Sequence, residues 1–104
     1  MNKNLLLYLK ENISRKKRKY SHLSKLTVVI PSYCRQDFII RQCAYWHGTG
    51  VSVIIMDGSP KPVDDDMKKV INGLCGITYV HSASILVDRL KHASTLIKTP
   101  YSVL

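Results

Sequence analysis

Leu26-Thr27-Val28-Val29-Ile30, an apolar and β-branched run that ends before Pro31, is the stretch that decides the fold. Such residues pack well in a strand that is buried on both faces, as strands of a parallel sheet are. A second run of the same kind, Val51-Ser52-Val53-Ile54-Ile55-Met56, follows further along the chain. The two runs predict two buried strands.

Segments with the helical spacing of apolar residues alternate with strand-like segments after this point. Helices are predicted from residue 38 to 46, from 63 to 74 and from 85 to 97, and shorter strands at 77–80 and 101–104. This alternation predicts an α/β protein with a Rossmann-like parallel sheet, helices on both faces and right-handed crossovers.

The first 25 residues differ from the rest in charge. The chain has 104 residues and a formal net charge of +9. Residues 1–25 hold eight Lys/Arg and one Glu, which gives +7, whereas residues 26–104 hold eight Lys/Arg and six Asp, which gives +2. The sequence therefore divides into a basic leader, residues 1–25, and a domain, residues 26–104.

The leader contains two features of its own. Apolar residues at helical spacing predict a short amphipathic helix over about 3–14, which packs on the domain or on a partner: Leu5, Leu6, Leu9 and Ile13. The run Arg15-Lys16-Lys17-Arg18-Lys19 is of a kind that attracts anionic membrane surfaces or nucleic acid. A solvated linker is the other interpretation of this run, and charge runs are more often of that kind.

The composition also bears on partners and location. A specific nucleic-acid partner is not expected, because the domain carries only +2 and its Trp46 and Phe38 lie in a predicted helix rather than on a stacking platform. No apolar run approaches the roughly 20 residues that span a bilayer. A cytoplasmic protein, peripheral to a membrane at most, is expected.

Metal and thiol chemistry have little support in the sequence. Cys34, Cys43 and Cys75 are an odd number without zinc-ligand spacing, so reduced thiols are expected. Asp64-Asp65-Asp66 follows Pro62 and is typical of a helix start rather than of a metal site. No metal ligand and no catalytic residue is predicted in this chain.

Ligand-binding residues are expected in the loops after the first two strands, because parallel α/β sheets bind ligands at the carboxyl ends of their strands. In the first loop, Tyr33 offers an aromatic face to a base, and Arg35 offers a planar fork to a phosphate. In the second loop, Asp57 offers a carboxylate to a base or ribose, and Gly58 lets a ligand approach.

Structural interpretations of the same residues stay open at this point. Tyr33 can pack at the sheet edge while Arg35 is solvated, and Asp57-Gly58 can be a simple turn in which the aspartate bonds its own backbone. Each loop alone is a weak signal, since a fold does not fix a function.

The order of the segments over about residues 25–104 resembles the start of family 2 glycosyltransferases, which have the A-type (GT-A) fold. In that family a Val/Ile-rich strand runs into Pro-x-Tyr/Phe-Asn-Arg, and Pro31-Ser32-Tyr33-Cys34-Arg35 is similar. The second strand of the family ends in Asp-Asp-Gly-Ser, and Met56-Asp57-Gly58-Ser59 is similar. Arg89 and Ala93 match a basic residue and an alanine of a later helix.

The resemblance implies the N-terminal half of a GT-A fold, with the strands in the order third, second, first, fourth. It implies that Tyr33 and Asp57 contact the base of a nucleotide-diphosphate sugar of the UDP type. It further implies that Pro31 shapes the loop and that Arg89 approaches the phosphates. The complete enzyme would transfer the sugar to a glycan or lipid acceptor.

The sequence also departs from the family pattern. Cys34 stands in place of the usual Asn, and Met56 and Lys61 stand at positions that are acidic in the family. The family's Asp-x-Asp motif, which holds Mn²⁺ or Mg²⁺ on the diphosphate, is expected beyond Leu104. This chain alone is therefore expected to bind no metal and to be inactive. The alternative is a small non-enzymatic α/β module that binds a nucleotide or a partner protein.

Overall fold

The computed structural model describes residues 3–13, 24–83 and 86–103. Helices and strands alternate along these ranges, in the following order: α1 (Lys3–Ile13), β1 (Leu26–Ser32), α2 (Gln36–Trp46), β2 (Ser52–Asp57), α3 (Asp65–Asn72), β3 (Ile77–His81), α4 (Leu86–Leu96) and β4 (Tyr101–Val103).

The strands form one parallel sheet in the order β3-β2-β1-β4. This order and the Rossmann-like α/β class are the predicted ones, and both are confirmed. Helices cover both faces of the sheet, as expected. The longest register is that of β1 with β2, from Thr27 opposite Ser52 to Ser32 opposite Asp57.

Strand β1 is longer than its apolar run, because it continues through Pro31 to Ser32. The carbonyl of Ser32 accepts a hydrogen bond from Gly58 N at 2.8 Å, so Ser32 faces β2. Neighbouring residues of a strand direct their backbone groups to opposite sides, which places the missing N–H of Pro31 on the β4 side. There the described part of β4 pairs with β1 from Leu26 to Val28, so Pro31 lies beyond the ladder that the described residues form.

The first face of the sheet carries the larger core, beneath α1, α2 and α3. Apolar side chains from β1, β2 and β3 point to this face together with those of the helices, and the most completely buried are Leu9, Ile39, Ile40, Cys43, Ile55 and Ile71. The second face is covered by α4, and its core consists of Val29, Ile54, Met56 and Ala93, with Val80, Leu90, Leu96 and Ile97 packed around them.

Helix α1 belongs to the domain's core rather than standing apart from it. Leu9 is fully buried, and Leu5 and Leu6 pack partly buried against the same cluster. The amphipathic pattern of the leader is thus explained by packing on the first face. The basic run at residues 15–19 lies outside the described residues.

The acidic triplet begins α3, as predicted. Asp64 is the N-cap, and its side chain accepts a hydrogen bond from Met67 N at 3.1 Å. Asp65 and Asp66 occupy the first turn, where carboxylates interact favourably with the helix dipole. None of the helices described is long and apolar enough to cross a membrane.

Candidate functional site

The loops after β1 and β2 are joined to each other at the carboxyl edge of the sheet. Ser32 lies opposite Asp57, and beyond that pair the backbone N–H of Cys34 donates to Ser59 Oγ at 2.7 Å. Strand β2 lies on one side of β1 and β4 on the other, so the strand order reverses at β1. Crevices at such a reversal are where open α/β sheets bind ligands.

Asp57 is the centre of this edge, and it is 1% exposed. Its Oδ1 accepts hydrogen bonds from Ser59 N at 3.0 Å and from Ser59 Oγ at 2.5 Å. Its Oδ2 accepts from the hydroxyl of Tyr79 at 2.5 Å. The carboxylate therefore holds its own loop and links it to β3, which agrees with the turn interpretation of Asp57. Whether it also contacts a base stays a prediction.

Tyr79 is a residue of this edge that the sequence did not indicate. Its hydroxyl donates to Asp57 and accepts from Val63 N at 3.1 Å. One side chain of β3 is therefore bonded to both ends of the segment that runs from Asp57 to Val63. Burial, and secondly the hydrogen bond to Asp57, raise the pKa of Tyr79 above its usual range. The hydroxyl thus stays protonated and remains a donor.

The end of β3 adds two further bonds to the same loops. His81 Nε2 lies 2.7 Å from the carbonyl oxygen of Ser59. A carbonyl can only accept, so this ring nitrogen carries the proton. Ser82 N donates to the carbonyl of Asp57 at 2.9 Å. The three strand ends are therefore one hydrogen-bonded unit.

Gly58 and Arg89, both predicted site residues, are in direct contact. Arg89 lies in the first turn of α4 and is 8% exposed. A Cβ added to Gly58 would lie 2.2 Å from Arg89 Nη1 and 2.4 Å from Arg89 Cζ. Glycine is thus the residue that lets the guanidinium lie against the loop. A cationic group is in this way held beside the carboxyl ends of β1 and β2.

The remaining predicted residues lie at the rim. Tyr33 is 62% exposed, and Arg35 is exposed as well. Arg35 Nε donates to Asp37 Oδ1 at 3.2 Å, and its guanidinium lies 5.8 Å from the centre of the Phe38 ring. The hydrogen bond from Arg35 lowers the pKa of Asp37. Between Tyr33 and Arg35, the backbone of Cys34 adopts a positive φ of 54°.

Two further features adjoin these residues. Ser32 is 6% exposed, and its hydroxyl has no hydrogen-bond partner among the described residues. Such a group usually has a partner, so a ligand or a water is expected there. A shallow groove of about 560 Å³ runs alongside, lined by Leu5, Cys34, Gln36, Asp37, Ser59, Pro60 and Lys61.

The described residues hold no cluster of three metal-ligating side chains and no disulfide. Across residues 3–13, 24–83 and 86–103, no three His, Cys, Asp or Glu side chains come together as metal ligands would. The three cysteines are free thiols, and burial raises the pKa of Cys43 to about 12. What the edge offers chemically is a cation, a buried hydroxyl and an exposed aromatic ring, which suit binding of an anionic, aromatic ligand.

Comparison of the chain with models of protein families, with curated proteins and with solved structures finds no match.

Proposed function

We propose that this chain binds a nucleotide-diphosphate sugar at the carboxyl edge of its sheet, as the N-terminal part of a glycosyltransferase that acts on a glycan or lipid acceptor. The observation that carries the proposal is the contact of Arg89 with Gly58 beside the loop of Tyr33. The contact supports the proposal because it brings together two residues, Gly58 and Arg89, that lie in separate segments of the family resemblance.

Arg89 is the proposed phosphate-binding residue. Its guanidinium is held against the loop after β2, at the start of a helix whose N–H groups also favour anions. A planar guanidinium pairs with phosphate through two parallel hydrogen bonds. Arg35, at the rim, is proposed to add a second positive charge. In the structure this charge is paired with the carboxylate of Asp37.

Tyr33 is the proposed base-stacking residue, and Pro31 the residue that fixes the start of its loop. The exposed ring of Tyr33 is free to be covered by a flat ligand. Asp57 is proposed to act on the base through Ser59, since both of its oxygens accept hydrogen bonds within the protein. A direct contact with the base would require the carboxylate, which is 1% exposed, to become accessible.

The Mn²⁺ or Mg²⁺ of a complete enzyme is not assigned to any residue of this chain. Asp57 is engaged with Ser59 and Tyr79, Asp64 caps α3, and Asp37 pairs with Arg35. These carboxylates do not converge, so they do not fit the metal. The proposal for this chain is therefore limited to binding the nucleotide.

A non-enzymatic α/β module is the second candidate, and one observation favours it. The Asp57 carboxylate is buried and accepts three hydrogen bonds from within the protein. An aspartate in that state stabilises the edge without any ligand. In this reading the edge binds a nucleotide or a partner protein without transferring a sugar.

Calorimetric titration with UDP, UMP and uridine tests the proposal. Tighter binding of UDP than of uridine is expected, and Arg89→Ala should weaken UDP about tenfold or more, since a charge-assisted bond to phosphate is lost. Lys91→Ala, an exposed cation of the same helix, is the matched control and should leave affinity unchanged. Absence of UDP binding, or equal losses in both variants, would favour the second candidate.

A further inference from the structure

Ser59 is held in the structure at each of its polar atoms. Its backbone N–H donates to Asp57 Oδ1 at 3.0 Å, and its hydroxyl donates to the same oxygen at 2.5 Å. The hydroxyl also accepts from Cys34 N at 2.7 Å, and the carbonyl accepts from His81 Nε2 at 2.7 Å. The residue is 8% exposed. Ser59 is therefore a fixed junction between the loops after β1 and β2 and the end of β3.

The bond from Cys34 to Ser59 joins the two loops that carry the proposed ligand-binding residues. Cys34 directly follows Tyr33 in the chain. Ser59 directly follows Gly58, against which the guanidinium of Arg89 lies. One serine hydroxyl therefore connects the backbone next to the exposed aromatic ring with the backbone next to the cation.

The backbone of Cys34 adopts a conformation that such a bond helps to hold. The ladder between β1 and β2 ends with the bond from Gly58 N to the carbonyl of Ser32 at 2.8 Å. Beyond it, the φ of Cys34 is 54°, a left-handed conformation that costs free energy in a residue with a Cβ. The bond from its N–H to Ser59 stabilises this conformation and thus the path of the loop. Strained backbone held by its surroundings is concentrated at ligand sites.

We propose that Ser59 fixes the separation between the base-binding and the phosphate-binding residues, and so makes the edge specific for ligands that carry both groups. The inference rests on the proposed function, in which Tyr33 stacks on the base and Arg89 pairs with phosphate. Ser59 is a positioning residue, since all its polar atoms are bonded within the protein. Asp57, which holds the serine hydroxyl, acts on the ligand in this indirect way.

A fixed separation favours a joined ligand over its parts for a physical reason. A molecule that carries both groups gains two contacts for one loss of translational freedom, whereas a nucleoside and a free diphosphate each incur that loss. Loops that first have to be ordered reduce this advantage. Removing the Ser59 hydroxyl should therefore weaken the joined ligand much more than either part.

NMR titration of the full chain with UDP, uridine and pyrophosphate tests the inference. Uridine carries the base alone and pyrophosphate carries the phosphates alone, so the three affinities measure how strongly the two contacts reinforce each other. The unaltered chain should bind UDP more tightly than either part. Ser59→Ala should weaken UDP binding about tenfold or more and leave the affinity for each part within about twofold.

Two further variants complete the experiment. His81→Ala releases only the Ser59 carbonyl, so this milder variant should weaken UDP about threefold and leave uridine and pyrophosphate unchanged. Ser94→Ala is the matched control, since it removes a hydrogen-bonded serine hydroxyl from an exposed position of α4. It should bind all three probes as the unaltered chain does. Circular dichroism checks that every variant is folded.

Amide hydrogen exchange reports the bond itself, because Cys34 N–H should exchange faster in Ser59→Ala and not in Ser94→Ala. Absence of UDP binding by the unaltered chain would overturn the proposed function and this inference together. UDP binding that both Ser59→Ala and His81→Ala leave unchanged, or an equal loss for pyrophosphate, would overturn the inference alone.

Discussion

The two faces of the sheet differ in how much core they hold. Three helices cover the first face, where side chains such as Ile39, Ile55 and Ile71 have no exposed surface. One of the described helices covers the second face. The core on that face, among the described residues, consists of four buried side chains. Stability should therefore come mainly from the first face. The candidate site nevertheless takes Arg89 from α4, the lighter layer, so the ligand site and the stable core are largely separate.

The largest expected effect comes from truncating the first core. Ile39→Ala removes a fully buried side chain from α2 and should lower the free energy of unfolding by about 3–4 kcal/mol. Ile97→Ala removes the same atoms from a half-buried position against the second core and should cost about 1 kcal/mol. Urea denaturation measures both. Equal losses would show that the two faces contribute alike.

The bond between Tyr79 and Asp57 links the first core to the site, and its loss should have the next largest effect. Tyr79→Phe removes the hydroxyl that donates to Asp57 and accepts from Val63 N. Leaving these groups unpaired should lower the free energy of unfolding by about 2 kcal/mol. Thermal unfolding measures the change. Tyr101→Phe, at an exposed position of β4, is the control and should cost almost nothing.

Burial in the first core also predicts a dependence on alkaline pH. The pKa of Cys43 is raised by burial from 9.0 to about 12. Between these values the unfolded thiol has lost its proton and the folded one keeps it, so the free energy of unfolding falls as pH rises. The fall attributable to Cys43 is about 1.4 kcal/mol per pH unit.

Denaturation at several pH values above 9 measures this contribution by difference. The slope of Cys43→Ala should be shallower than that of the unaltered chain, because the titrating group is gone. Cys75→Ala, at an exposed position, should keep the original slope. Parallel slopes in all three proteins would mean that Cys43 is not buried as described.

The smallest expected effect lies at the start of α3, on the rim of the first core. Asp64→Ala removes the acceptor for Met67 N and should lower the free energy of unfolding by about 1 kcal/mol. Asp66→Ala keeps the cap and changes only a first-turn charge, so a few tenths of a kcal/mol are expected. A larger loss for Asp66 than for Asp64 would contradict the capping role.

Most of the fold could be predicted from the sequence because its signals are local. The β-branched run before Pro31 and the run before Asp57 are continuous, as strands buried on both faces must be. Gly48 lies just after the end of α2 and has a φ of +77°, which residues other than glycine rarely adopt. The position of α1 was left open, since an amphipathic helix has the same pattern on a domain or on a partner.

The candidate site was less predictable because its bonds cross between strands. Nothing in the short run of β3 distinguishes Tyr79 or His81 from residues that merely suit a strand. Their roles depend on the parallel register that sets β3 beside β2, with Asp57 opposite His81. Gly58 was predicted from its position after the second strand and Arg89 from the family pattern, and only packing shows that they touch.

The pairing of β1 with β4 has a consequence for the order of folding. The hydroxyls of Thr27 and Thr99, at the start of these strands, are bonded to each other although they lie 72 positions apart. Strands β1, β2 and β3 can associate in sequence over short crossovers, but β4 closes the longest loop and adds three exposed residues. During synthesis β1 therefore waits with one flank unpaired until β4 has emerged, and β4 should dock last of the four described strands and exchange its amide hydrogens first.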